Sequence, residues 1–334
     1  MSEPVISVVI PTHNRVGMVP EAVQSVVQER SVPIEVLVVD DASSDGTARW
    51  LATQRDERLR WWSLDPGRGG SGARNLGLAE ARGEHVLFLD DDDILRPGAL
   101  PRLLVALHDD PAAARAMGSY SRFGDDVRRA HSVHPRITVR RPIWKEELFR
   151  WNGPPGAILW RTRVVRDAGG WTEGLRRAED TDLNLRTWRH RAIVLPTPVI
   201  DYRYHRTQVP LSEFWPIDRE VRLRFIDSLP DAERVEARRL FAAREVFQTG
   251  LELYDDRSHR AAARQFVRAA RLAPDMFRSP LLGPWLAFVT AKAFALATVP
   301  DSILQRALDE RHRRRGYVPD NRRAPEDRDA PTLG

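Results

Sequence analysis

The chain of 334 residues has no cysteine. This excludes disulfides, thiolate metal sites and cysteine nucleophiles, and it fits a reducing compartment. Lysine is nearly as scarce: only Lys145 and Lys292 occur among 52 basic residues, so arginine carries the formal net charge of +5. The arginines are spread along the chain among 47 acids rather than clustered with aromatics on one face, which argues against nucleic acid as a partner. No basic leader with a cleavage site precedes the first apolar run, so the expectation is a cytoplasmic protein. The longest apolar stretch, residues 281–299, is interrupted by Pro284 and Lys292 and makes a poor spanning helix. With 42% apolar residues, the chain can bury one large α/β domain and a smaller helical one.

Strand and helix patterns alternate through the first third. Residues 5–10 (VISVVI) form a β-branched run closed by Pro11, and 19–27 place Val19, Ala22, Val23, Val26 and Val27 on one helical face. A second strand, 34–39, ends in Asp40-Asp41 and a capping-rich turn. A short strand near 60–64, a glycine-rich loop at 67–72, a helix at about 73–81 and an apolar strand at 85–89 follow, the last ending in four aspartates. Such alternation predicts a mainly parallel, doubly wound sheet whose ligands sit at the carboxyl ends of the strands. Short strands are expected at 157–160 and 192–195, and helices from about 211 onward. Residues 243–276 place Gly250, Ala262, Phe266, Ala269 and Pro274 as in one tetratricopeptide repeat, and a single copy is expected to pack as a helix pair on the α/β domain.

Asp90, Asp91, Asp92 and Asp93 in succession repel one another by about 1 kcal/mol per close pair even at the dielectric of water. A cation is expected there, and oxygen ligands suit Mg²⁺ or Mn²⁺ held by one or two carboxylates plus substrate phosphates. The plain alternative is a solvated acidic turn before a helix, but a cap needs one aspartate and not four. The segment GRGGSG (67–72) formally matches the dinucleotide-binding pattern. It follows two complete strand-helix units instead of opening the first, so it suggests phosphates without naming a cofactor.

Together these segments resemble the family 2 glycosyltransferases of the glycosyltransferase A fold. SVVIPTHNR (7–15) is similar to that family's opening strand and nucleotide loop, and VLVVDDASSDGT (36–47) to its second strand with the base-contacting aspartate. The stretch 69–93 is similar to the segment joining the donor-loop arginine to the Asp-x-Asp metal motif. GGWTEGLRRAEDTDLNLRTWR (169–189) is similar to the acceptor-side segment, and DYRYHR (201–206) to the late strand that brings a histidine towards the metal. The resemblance implies that Pro11, Thr12, His13 and Arg15 line the nucleotide loop, that Asp41 meets the base, and that Asp90 or Asp91 lies near the ribose. It also implies that Arg74 faces the donor phosphates or the acidic motif, that Asp92 and His205 hold the metal, and that Asp180, next to Glu179, is the general base. The family usually has a spacer within its acidic motif, so assignments within the aspartate run stay open.

The implied activity is inverting transfer of a sugar from a nucleotide diphosphate sugar, UDP-linked in most of the family, to a glycan, lipid-linked or protein acceptor. The alternatives are a catalytically silent nucleotide-sugar-binding protein and a sugar nucleotidyltransferase; the latter should carry an N-terminal glycine-rich loop where this chain has PTHNR. The expected organisation is a catalytic domain at 1–210 (nucleotide-sugar side 1–110, acceptor side 111–210), a helical region at 211–316 and a disordered tail at 317–334. An apolar helix at 281–299 near the basic run 311–315 could dock on the protein core or rest peripherally on the inner face of a membrane.

Overall fold

The computed structural model describes residues 3–124, 138–149, 153–204 and 211–298. Strand β1 (Ile6–Thr12) lies between β2 (Ile34–Asp41) and β4 (His85–Phe88), parallel to both, and β3 (Leu59–Leu64) extends the sheet beyond β2. β1 and β2 are buried on both faces, which their unbroken β-branched runs require. Helix α1 (Val19–Val27) buries Val19, Ala22, Val23 and Val26, the stripe expected from the sequence. Because the first four strands are parallel, Thr12, Asp41 and the aspartate run after β4 share one end of the sheet.

Helix α2 (Thr47–Leu51) is short, and α3 (Gly69–Glu80) starts four residues earlier than the helix expected at 73, taking the glycines into its first turn. Further along, α3 packs closely on the sheet. A Cβ on Gly77 would lie 2.3 Å from Val9 Cγ1, so the helix lies directly on β1 where only a hydrogen is tolerated.

Beyond β4 the sheet is mixed. After β5 (Ile94–Leu95) and α4 (Ala99–Asp109) comes β6 (Ala113–Gly124), which pairs with β9 (Arg191–Tyr204) in parallel. β8 (Ile158–Arg161) joins the halves, antiparallel to both β4 and β6, while β5 and β7 (Val139–Arg141) pair with β9. β9 is a single strand of 14 residues where a short one was expected at 192–195. Its Pro196 and Pro198 fall where the β6–β9 register shifts, between Met117/Val194 and Ser119/Pro198, so the missing N–H groups are not demanded by the ladder.

Helices α5 (Trp144–Phe149), α6 (Thr162–Asp167) and α7 (Glu179–Arg186) pack around this second half. The helical region follows as α8 (Leu211–Ser228), α9 (Asp231–Asp255), α10 (His259–Leu272), α11 (Pro274–Arg278) and α12 (Gly283–Ala297). α9 and α10 form the expected hairpin: a Cβ on Gly250 would meet the Phe266 ring at 2.5 Å, so the helices close on that glycine. Phe247 of α9 packs on Phe149 of α5, with ring centroids 5.9 Å apart, and on Phe266 at 4.8 Å. The helices therefore share one apolar core with the second half of the sheet. Residues 299–334, with the expected tail and the basic run, lie outside the described residues.

Candidate active site

The loop after β1 is tied to the loop after β2. Asn14, in the left-handed region at φ 52°, accepts from the Ser44 N–H at 2.7 Å, and its own N–H donates to Ser43 Oγ at 2.8 Å. Asp45 accepts from the Val16 N–H at 2.9 Å, and the Arg15 N–H donates to Thr47 Oγ1 at 3.3 Å. The Asn14 amide faces His13 Nε2 at 2.9 Å, which leaves Nδ1 to donate to the Asp41 carbonyl at 2.5 Å. Pro11 and Thr12 are buried at the strand end, whereas His13 is exposed to the cleft.

Asp41 closes the glycine segment onto this loop. Its carboxylate accepts the Arg68 N–H at 2.6 Å and the Gly69 N–H at 2.8 Å, capping the start of α3. A carboxylate has about four lone-pair sites, so two stay available to a base N–H. Asp40 instead turns into the sheet, accepting from the Ser43 N–H at 3.2 Å and Ser63 Oγ at 3.1 Å.

The aspartate run divides by environment. Asp90 is paired with Arg74, whose Nη2 donates to Oδ1 at 2.6 Å, yet burial and the Asp92 charge hold its carboxyl above the ordinary value. Asp91 is pushed up to about 6, chiefly by burial and by Asp92, against the Thr12 hydroxyl and the Arg15 charge. Asp93 is fully buried, accepts the Arg203 N–H at 2.8 Å through Oδ1, and has no partner for Oδ2 among the described residues. Burial, then the Asp90 charge, raise its carboxyl well above the usual range. Arg203 also donates from Nε to the Asp92 carbonyl at 2.8 Å, which fixes the turn. Asp91 and Asp92 are part-exposed, whereas Asp93 is buried.

Residues 169–189 meet the aspartate run through one guanidinium. Arg74, 7% exposed, lies over the Trp171 ring at 4.7 Å, and its Nη1 is 3.6 Å from Glu179. Asn75 holds the same segment from beside it, donating to the Trp171 carbonyl at 2.9 Å and accepting its N–H at 2.8 Å. Glu179 and Asp180 open α7, where the helix dipole favours anions. Burial outweighs that preference: together with the Glu179 charge it pushes Asp180 up to about 7, against the Thr181 N–H. Asp182 is committed elsewhere, accepting from Thr172 Oγ1 at 2.7 Å and Arg186 Nε at 2.8 Å.

Behind α7 runs a buried polar chain. Arg115 donates to Asn184 at 2.8 Å and to Glu147 at 2.6 Å and stacks on Trp160, while Arg222 binds the Leu148 carbonyl at 2.7 Å and Asp218 at 2.9 Å. Burial lifts Glu147 to about 7 despite Arg115. Helix α7 is thereby connected to α5 and α8.

Most residues expected at the site gather in this cleft. His205 lies outside the described residues. Trp171 and Arg203 were not anticipated, although Trp171 follows the Gly169-Gly170 pair and Arg203 stands two positions before His205 in the same motif.

The family described as Glycosyl transferase family 2 matches residues 7–167. The chain is 30% identical over 247 residues to the succinoglycan biosynthesis protein ExoO of Rhizobium meliloti, covering 71% of this chain and 69% of the relative. It is 38% identical over 104 residues, 30% of this chain and 34% of the other, to the GalNAc(5)-diNAcBac-PP-undecaprenol beta-1,3-glucosyltransferase of Campylobacter jejuni. Among solved structures, residues 1–349 of S. aureus TarS superpose with a TM-score of 0.60 at 20% identity, covering 87% of this chain and 88% of that one. The same fragment has been solved in complex with UDP-GlcNAc and superposes with a TM-score of 0.59 at 21% identity.

Proposed function

The chain belongs to glycosyl transferase family 2, and from that premise we propose an inverting, metal-assisted enzyme that moves a sugar from a UDP-sugar to an acceptor hydroxyl with Asp180 as general base. The observation that carries this reading is the bridge from Asp90 through Arg74 to Glu179, which puts the aspartate run and Asp180 on one cleft. The TarS fragment, solved with UDP-GlcNAc, makes a UDP-sugar the first donor to test.

The donor end is built for a nucleotide diphosphate. Asp41 and the His13 loop border the place for the base, and the N-terminus of α3 with Arg15 and Arg74 supplies positive potential for phosphates. Asp92, with Asp91 or Asp90, would hold Mg²⁺ or Mn²⁺. The fit rests on part-exposed, hard oxygen donors at the cleft, with Asp91 lifted by burial and then by the Asp92 charge. Among the described residues no three acidic or histidine side chains converge as a cage, so the donor phosphates would complete the coordination. When bound, a divalent ion neutralises charge on the departing nucleoside diphosphate.

At the acceptor end, Asp180 removes the hydroxyl proton as the oxygen attacks the anomeric carbon from the face opposite the leaving group. A carboxylate near pH 7 in its titration is a stronger base than an ordinary aspartate and is still half ionised at neutral pH. One displacement inverts the anomeric centre. Burial, and then the Glu179 charge beside it, keep Asp180 high.

The test is release of UDP from a panel of UDP-sugars with Mn²⁺, with and without glycan and lipid-linked acceptors. Binding of UDP with no turnover on any donor would instead make the chain a silent nucleotide-sugar binder.

A further inference from the structure

Helix α12 is apolar throughout except for Thr290 and Lys292, yet it buries only Gly283, Leu286 and Ala293. At about 100° per residue, Pro284, Ala287, Phe288, Ala291, Phe294 and Ala295 fall within one arc of about 120°, and all six are exposed. Phe288 and Phe294, at the two edges of this arc, are 65% and 47% exposed. A helix docked on the core by its apolar side would hide these rings.

Beside it, α10 turns Ala262, Ala263, Phe266 and Ala269 inward and Arg260, Arg264, Arg268 and Arg271 outward. The four arginines line a groove of about 520 Å³ together with Phe294 and Ala297. Arg260 donates to the Ala297 carbonyl at 3.1 Å, fastening the two helices, whereas Arg264, Arg268 and Arg271 have no acidic partner among the described residues. Lys292 adds a fifth cation at the other margin of the arc, over the Tyr254 ring.

We propose that this α10–α12 face docks on an anionic lipid surface. The rings of Phe288 and Phe294 enter the boundary between headgroups and acyl chains, and the arginine row meets the lipid phosphates, which guanidinium groups bind in bidentate fashion. Charge complementarity selects this occupant: five cations border an alanine and phenylalanine surface that an acidic soluble protein would have no reason to require. Among the described residues no helix is long and apolar enough to cross a membrane, so the contact is peripheral. The proposal needs only these two helices and stands apart from the transferase reading.

The experiment is co-sedimentation of the full chain with phosphatidylcholine vesicles with and without phosphatidylglycerol. The chain should bind the anionic vesicles at least about tenfold more tightly, and high salt should weaken the binding. The Phe288→Ser/Phe294→Ser and Arg264→Glu/Arg268→Glu pairs, all at exposed positions, should each lower that binding at least about tenfold. UDP binding without vesicles should match the parent chain in both, which separates a failed docking surface from a failed transferase. Equal binding to both vesicle types, or variants that bind like the parent, overturns the proposal. So does self-association abolished by the phenylalanine pair in a chain that ignores vesicles, because the face would then be a protein interface.

Discussion

Arg74 Nη2 and Asp90 Oδ1 stand 2.6 Å apart, and the same guanidinium reaches towards Glu179 with its other nitrogen. One buried cation therefore serves two acids from segments about ninety residues apart. Arg74→Ala leaves both without it and should cost up to about 3 kcal/mol, the low end for breaking a buried pair, because the Asp90 side chain keeps 28% exposure. Arg74→Lys retains the charge but not the planar fork or the stack on Trp171, and should keep most of the stability while losing turnover. Thermal melts beside UDP-release rates separate the two effects; a lysine variant with unchanged turnover would refute the bridging role.

Asp92→Ala should abolish Mn²⁺-dependent UDP binding and reduce turnover to background, whereas binding measured in a chelator should be the same for variant and parent. Titration calorimetry with and without Mn²⁺ reads both. A parent chain fully active in chelator would remove the metal from the mechanism.

Asp180→Asn should slow transfer by about 10²- to 10⁴-fold with UDP affinity preserved. Because the base must be ionised and its carboxyl titrates at about 7, the parent rate should fall about tenfold per pH unit below that value and level off above it. The same shift has a stability sign. The folded value lies above the unfolded value of about 3.9, so the stability offered by Asp180 is complete below about pH 4 and lost as pH rises through about 7. The asparagine variant should thus gain melting temperature over the parent at pH 8 and not at pH 4. Glu179→Gln should slow transfer less and shift the rate profile to lower pH, since it removes a charge that holds Asp180 up.

Gly77→Ala places a methyl group against Val9 and should cost about 1–3 kcal/mol by overpacking. Val9→Ala opens the space, so the double variant should be less damaged than the sum of the single ones. Additive losses in denaturant melts would show that α3 does not rest on β1 at this point.

The first half of the fold was legible because its signals are local. The valine stripe of α1 and the β-branched runs of β1 and β2 state their structures without help from distant residues. The start of α3 was hidden because Gly69, Gly70 and Gly72 read as loop formers, while Asp41, far off in sequence, supplies the cap that turns them into a helix. β6 escaped notice because AARAMGSYSRFG has no valine or isoleucine; it is a strand through its long pairing with β9. The acids of the site were visible as types and spacings. Their division into paired Asp90, buried Asp93 and raised Asp180 was not, since it depends on Arg74, Arg203 and the burial created by α7.

The pairing of β6 with β9 joins residues 113–124 to 191–204. During synthesis β6 emerges nearly seventy residues before its parallel partner, and until then one edge of it stays unsatisfied. A recombinant fragment cut at residue 167, the last residue of the family match, would stop short of β9. It would present the bare edges of β5, β6 and β7 to other copies of itself, the arrangement that invites strand-to-strand aggregation. Any soluble expression of the sheet-bearing part alone should accordingly need the chain carried through Tyr204.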